Sequence, residues 1–81
     1  MITGVKKLGR TTRQYRGLAF SYLPNTRRLM KVWVAVRENG EYTHRKFCTI
    51  GEAVAFIDDA ISKGAYVKDD RNELVIGRVL V

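Results

Sequence analysis

Apolar and polar positions set the elements of this chain. Leu18, Phe20 and Tyr22 alternate with Gly17, Ala19 and Ser21, the period of two expected of a half-buried strand, over Tyr15–Leu23. Pro24-Asn25-Thr26 breaks that stretch, with Pro presetting the turn and Asn tolerating left-handed backbone. Leu29–Arg37 is rich in β-branched and aromatic residues, and Tyr42–Phe47 returns after Glu38-Asn39-Gly40-Glu41. Asn-Gly is a favoured centre for a two-residue hairpin turn. Counting outward from it predicts that Trp33 faces Lys46, Ala35 faces His44 and Arg37 faces Tyr42, while Val32, Val34 and Val36 pair with Phe47, Arg45 and Thr43. One face then carries Val32, Val34, Val36 and Phe47, and the other Lys31, Trp33, Ala35, Arg37, Tyr42, His44 and Lys46. A slip of one residue would exchange the faces.

The period changes at Thr49–Lys63. Ala53, Val54, Ile57, Ala60 and Ile61 recur at steps of three and four and predict one amphipathic helix. Thr49 and Glu52 have capping-box spacing, and Gly64 is a stop signal. Residues 65–81 predict a smaller hairpin: Tyr66-Val67-Lys68, a polar turn at Asp69-Asp70-Arg71-Asn72, and an apolar run from Glu73 to Val81. The expected fold is α+β: a three-stranded antiparallel sheet packed on one helix, with a C-terminal β-hairpin or extra strand. Residues 1–14, with Lys6, Lys7, Arg10 and Arg13 among Gly and Thr and no clear period, read as a basic arm before a single domain over 15–81.

Composition narrows the function classes. Eighty-one residues make one domain with one small core, too small for a deep cleft between domains. A lone Cys48 excludes an intramolecular disulfide and, with His44 the only histidine, a zinc knuckle. This usage fits a reducing, cytoplasmic compartment. No apolar run has the length of a membrane span. Met1-Ile2-Thr3-Gly4-Val5-Lys6-Lys7 puts no hydrophobic stretch behind its charges, which does not fit a signal peptide. Charge is divided unevenly: residues 1–46 hold 11 basic and 2 acidic side chains, residues 47–81 hold 4 basic and 6 acidic. That asymmetry points to a polyanion on one side of the molecule.

Catalytic and metal chemistry find little support. His44 has no acid–base partner in sequence, and Cys48 beside the helix start reads as a small structural residue. Asp58 and Asp59 point about 100° apart on a helix and read, with Asp69-Asp70, as solvated surface. No nucleophile–base pair, metal set or phosphate loop is present, so the expectation is a non-enzyme without cofactor. The face that mixes Trp33 and Tyr42 with Lys31, Arg37, His44 and Lys46 has the chemistry of nucleic-acid contact, because cations neutralise phosphates and rings stack on bases.

Three stretches resemble the Apetala / ethylene-response-factor type DNA-binding domain, whose relatives include arm-binding domains of phage-type tyrosine recombinases. Tyr15-Arg16-Gly17 is similar to its opening triplet, and Val36-Arg37 to the end of its second strand. Phe47-Cys48-Thr49-Ile50-Gly51-Glu52-Ala53, with Asp58 and Ala60, is similar to the start of its helix. The resemblance spans about residues 15–61. It implies that the sheet face opposite the helix enters the major groove, with Arg16 and Arg37 as contacts. Ala19 and Ser21 stand where that family has arginines, and Tyr42 and His44 where it has Arg and Trp, so its preferred DNA sequence is not implied. An alternative alignment sets Trp33 on the family's core aromatic.

The expected function is therefore binding of duplex DNA through the open sheet face and the basic arm. Arg13, Arg27, Arg28, Lys31 and Lys46 would meet phosphates, Arg37, Trp33, Tyr42 and His44 would lie nearest the bases, and the resemblance adds Arg16. The alternative is a phage or mobile-element interaction module for an acidic protein partner, with homodimerisation through Leu74–Val81.

Overall fold

A computed structural model describes residues 4–77. Its strands are β1 (Lys6–Lys7), β2 (Thr12–Tyr15), β3 (Leu18–Tyr22), β4 (Val32–Glu38), β5 (Glu41–Phe47), β6 (Tyr66–Lys68) and β7 (Glu73–Ile76), with one helix, α1 (Ile50–Ser62), between β5 and β6. The α+β class holds, but the sheet is larger than three strands. All seven join one mixed sheet in the order β1-β2-β3-β4-β7-β6, and β5 pairs with the other edge of β4.

The first correction concerns residues 1–14. Lys6–Lys7 pairs with Arg13–Gln14, and Thr12–Tyr15 pairs with Leu18–Ser21, so this basic segment contributes two strands instead of an arm. The expected strand Tyr15–Leu23 is split by a tight turn at Arg16-Gly17, with Tyr15 opposite Leu18. Arg16 and Gly17 have φ of 53° and 85°, nearly the 52° and 88° of Asn39 and Gly40. Both turns thus have two consecutive left-handed residues, the geometry that matches the twist of paired strands. Arginine is unusual in that conformation, which hides the first turn from a reading of residue types.

The β4–β5 hairpin has the predicted register throughout, from Val32 opposite Phe47 to Arg37 opposite Tyr42. Val32, Val34 and Val36 are fully buried under α1 with Leu18, Phe20, Ala53, Ile57, Ala60 and Leu74. Thr49 caps the helix: its hydroxyl accepts from the Glu52 N–H at 3.2 Å. Lys63 closes the last turn and Gly64 leaves it in left-handed backbone, as predicted.

The other edge of β4 is shared. Its first half meets β3 antiparallel at Trp33–Ser21 and Val32–Tyr22, and its second half meets β7 in parallel from Val36–Leu74 to Glu38–Ile76. Where β3 peels away, Asn72 fills the fork. Its side-chain oxygen accepts from the Ala19 N–H at 2.8 Å and its amide donates to the Ala19 carbonyl at 2.9 Å, replacing a lost strand neighbour. The C-terminal hairpin therefore joins the sheet as expected, with β7 beside the central strand and β6 at the margin. Leu74 and Val75 are buried there and unavailable for the expected dimer contact, while Arg78, Val79, Leu80 and Val81 lie outside the described residues.

Candidate nucleic-acid interface

The pleat of β4 sends Trp33, Ala35 and Arg37 away from α1. Register adds to this open face Thr12 and Gln14 from β2, Ala19 and Ser21 from β3, Tyr42, His44 and Lys46 from β5, and Glu73 and Val75 from β7. The small side chains Ala19, Ser21 and Ala35 form a floor. Trp33, Tyr42, His44, Thr12, Arg71 and Asn72 stand around it, enclosing a hollow of about 320 Å³. The turn between β6 and β7 raises one rim and β5 the opposite one.

Trp33 and Tyr42 on this face each lie beside a cation. The Arg28 guanidinium and the Lys46 ammonium lie 5.7 and 5.9 Å from the Trp33 ring centre. Arg37 lies 5.4 Å from Tyr42, which meets His44 edge-on with centres 5.2 Å apart. Tyr42 is 52% exposed and offers a free ring surface. The Trp33 Nε1–H is screened from solvent and has no acceptor among the described residues. A buried donor left unpaired costs about 1–3 kcal/mol.

The face is also electrically one-sided. Lys6, Lys31, Lys46 and Lys68 fall on it by register or chain direction, and Arg28 and Arg71 border it. Glu38, Glu41, Glu52, Asp58 and Asp59 lie on α1 or on its side of the sheet, and Asp69 and Asp70 lie in the β6–β7 turn. Among the described residues Glu73 is the carboxylate that register places on the open face, while Asp69 and Asp70 sit in the turn that forms one rim. Glu73 is buried at 2% exposure, and Arg37 Nε donates to it at 2.8 Å.

Not all the expected contact residues reach this surface. Trp33, Tyr42, His44 and Lys46 are gathered on it, with Lys31 at its edge and Arg28 over the indole. Arg27 is exposed in the β3–β4 connection. Arg37 is on the face but committed elsewhere: besides Glu73 it donates to the Gly40 carbonyl at 3.1 Å, which raises its already high pKa through the Glu73 hydrogen bond and removes it as a free base reader.

Arg13 and Arg16 sit on the helix side. Arg13 faces the same way as Phe20, lies 4.9 Å from the Tyr22 ring centre, and donates to the Gly9 and Thr12 carbonyls. Arg16 pairs with Asp58 at 3.1 Å. The Tyr15 hydroxyl donates to the same carboxylate at 2.8 Å, which raises the phenol's pKa, so Asp58, half-exposed as it is, anchors Tyr15 and Arg16 beyond the solvated role expected. Glu73, Arg71 and Asn72 also belong to the face. Only the fork in the sheet brings them there, and no spacing within the chain encodes it.

A second hollow of about 520 Å³, lined by Arg10, Thr11, Leu23, Pro24, Asn25 and Thr26, holds one cation and no aromatic ring. Among the described residues no three His, Cys, Asp or Glu side chains gather as metal ligands, and no helix is long and apolar enough to cross a membrane. Compared with known proteins, the chain matches no protein-family model, no curated protein and no solved structure.

Proposed function

We propose that this protein binds DNA through the open face of its sheet. The observation that carries the reading is the pairing of aromatic rings with cations on a face whose buried carboxylate, Glu73, is already neutralised: Trp33 with Arg28 and Lys46, Tyr42 with Arg37. Phosphates find unopposed ammonium and guanidinium groups there, and bases find ring surface. Lys46 supplies phosphate neutralisation and Tyr42 and His44 line the path of the bases, while Arg37 holds the face together from beneath. The resemblance of residues 15–61 to a sheet-based DNA-binding family points the same way, although Arg16 takes no part in this reading.

Titration with duplex DNA, single-stranded DNA and heparin at two salt concentrations tests it. Binding to DNA should be strongest at low salt and fall steeply as salt rises. Lys46→Ala should lower the slope of log affinity against log salt by about one, since it removes one phosphate contact. No binding to either form of DNA at low salt would sink the proposal, and binding to heparin alone would favour an acidic protein partner.

A further inference from the structure

The shape of the open face says which form of DNA it suits. To read a duplex, a protein must push an element into a groove, and the major groove, about 12 Å wide, admits a helix or a two-stranded ribbon. A face does this when it stands proud of its surroundings. Here the centre is the lowest part. Ala19, Ser21 and Ala35 make a floor of small side chains, and the larger Tyr42 and His44 on one side and Arg71 with Asn72 on the other line its margin. The fork between β3 and β7 creates this rim, because Asn72 must reach Ala19 to satisfy its backbone and carries the β6–β7 turn with it. A duplex resting on the rim would present phosphates but keep its base faces stacked on one another.

An unpaired strand has no such restriction. Its bases can turn into the hollow, where the exposed Tyr42 ring offers a stacking surface and Trp33 lines the wall. Its phosphates can remain at the rim with Lys46 and Arg71. The hollow of about 320 Å³ leaves room for a flat ring to enter without moving the backbone. Resting on the proposal that this face binds DNA, we infer that its preferred ligand is single-stranded nucleic acid, with one or more bases lodged between Tyr42 and Trp33 over Ala35.

The chain has one tryptophan, so its fluorescence reports directly on this hollow. Oligothymidylate and a mixed-sequence duplex of equal length are titrated at the same salt concentration. The single strand should bind at least about tenfold more tightly and change Trp33 emission. Tyr42→Ala, which removes an exposed ring, should weaken single-strand binding by roughly 5- to 150-fold, the usual loss for one stacked base, while duplex binding changes little. Ala35→Leu fills the floor and should abolish the single-strand preference. Circular dichroism and thermal melts of both variants, matched to the parent, tie these losses to the hollow.

Equal or tighter binding of the duplex overturns the inference and leaves the DNA reading standing. So does a single-strand preference that survives both Tyr42→Ala and Ala35→Leu, since the bases would then lie elsewhere. Failure of both DNA forms to bind at low salt overturns the DNA reading itself, and this inference with it.

Discussion

Arg37 shows how far a side chain's role depends on what lies beneath it. Its guanidinium is one-third exposed and the Glu73 carboxylate it bonds is almost fully buried. Removing the cation leaves a buried charge without a partner, a change that typically costs 3–5 kcal/mol. Arg37→Ala should therefore lower stability by about 3 kcal/mol, the low end because the pair is open on one side. Adding Glu73→Gln should recover part of that loss. Urea unfolding checks both, and an unchanged midpoint for Arg37→Ala would mean the pair contributes nothing. Tyr15 gives a pH-dependent counterpart. Its hydrogen bond to Asp58 holds the phenol's pKa above its ordinary value near 10, so the stabilisation is complete below that pH and is lost as pH rises through the higher folded value. Tyr15→Phe should melt below the parent at neutral pH, and the gap should close in strongly alkaline buffer. A gap that stays constant across that range would rule out the Asp58 bond as its source.

At the scale of elements, the fork in the sheet and the docking of the helix are separate devices. Asn72 replaces a missing strand neighbour for Ala19 and does so from left-handed backbone, with φ of 53°. Asn72→Gly keeps that backbone accessible and deletes the two side-chain hydrogen bonds. Each such bond contributes about 0.5–1.5 kcal/mol, so a loss near 2 kcal/mol is expected, with faster amide exchange at Ala19. Exchange at Ala19 equal to the parent's would show that the bond is not kept in solution. Helix docking rests on Ile57, which is fully buried between α1 and the valines of β4. Ile57→Ala should cost about 2–5 kcal/mol, a large share of the stability of so small a domain. Asp59 is different: it is exposed and makes only an i,i+4 pair with Lys63, so Asp59→Ala should stay within about 0.5 kcal/mol of the parent in thermal melts.

Across the whole molecule, the excess of basic charge becomes a dipole. The acidic side chains of α1 and of the helix side of β4 and β5 lie behind the sheet, and unopposed cations lie before it. A polyanion bound as proposed would be oriented by this dipole as well as attracted. The sheet has a further use for its long, exposed β5. Arg45 and Lys46 put charge on a strand whose outer edge has no partner among the described residues, an arrangement that discourages edge-to-edge association.

The chain's own sequence determined everything that depends on neighbours in the chain. The Asn39-Gly40 turn set the register of β4 and β5, and with it the identity of the core valines and of Trp33, Tyr42, His44 and Lys46 as one surface. Thr49, Glu52 and the three- and four-residue steps through Ile57 set the helix and its buried side. Such signals are local: a turn needs two residues in left-handed backbone, and a face needs only a period. What tertiary structure decided was everything that joins distant segments. Lys6–Lys7 and Thr12–Tyr15 have too few apolar residues to announce themselves, and become strands because the edge of β3 offers them hydrogen bonds. Arg16 bends left-handed where Asp58, from a helix more than forty residues away, can hold it. Glu73 takes Arg37 out of play because β7 enters parallel to β4, and that pairing is fixed by how Leu74 and Ile76 fill the core beside Val36. Strand order beyond a hairpin is chosen by which edges remain unpaired and which apolar faces remain uncovered once the local elements exist, and no pattern of adjacent residues records that choice.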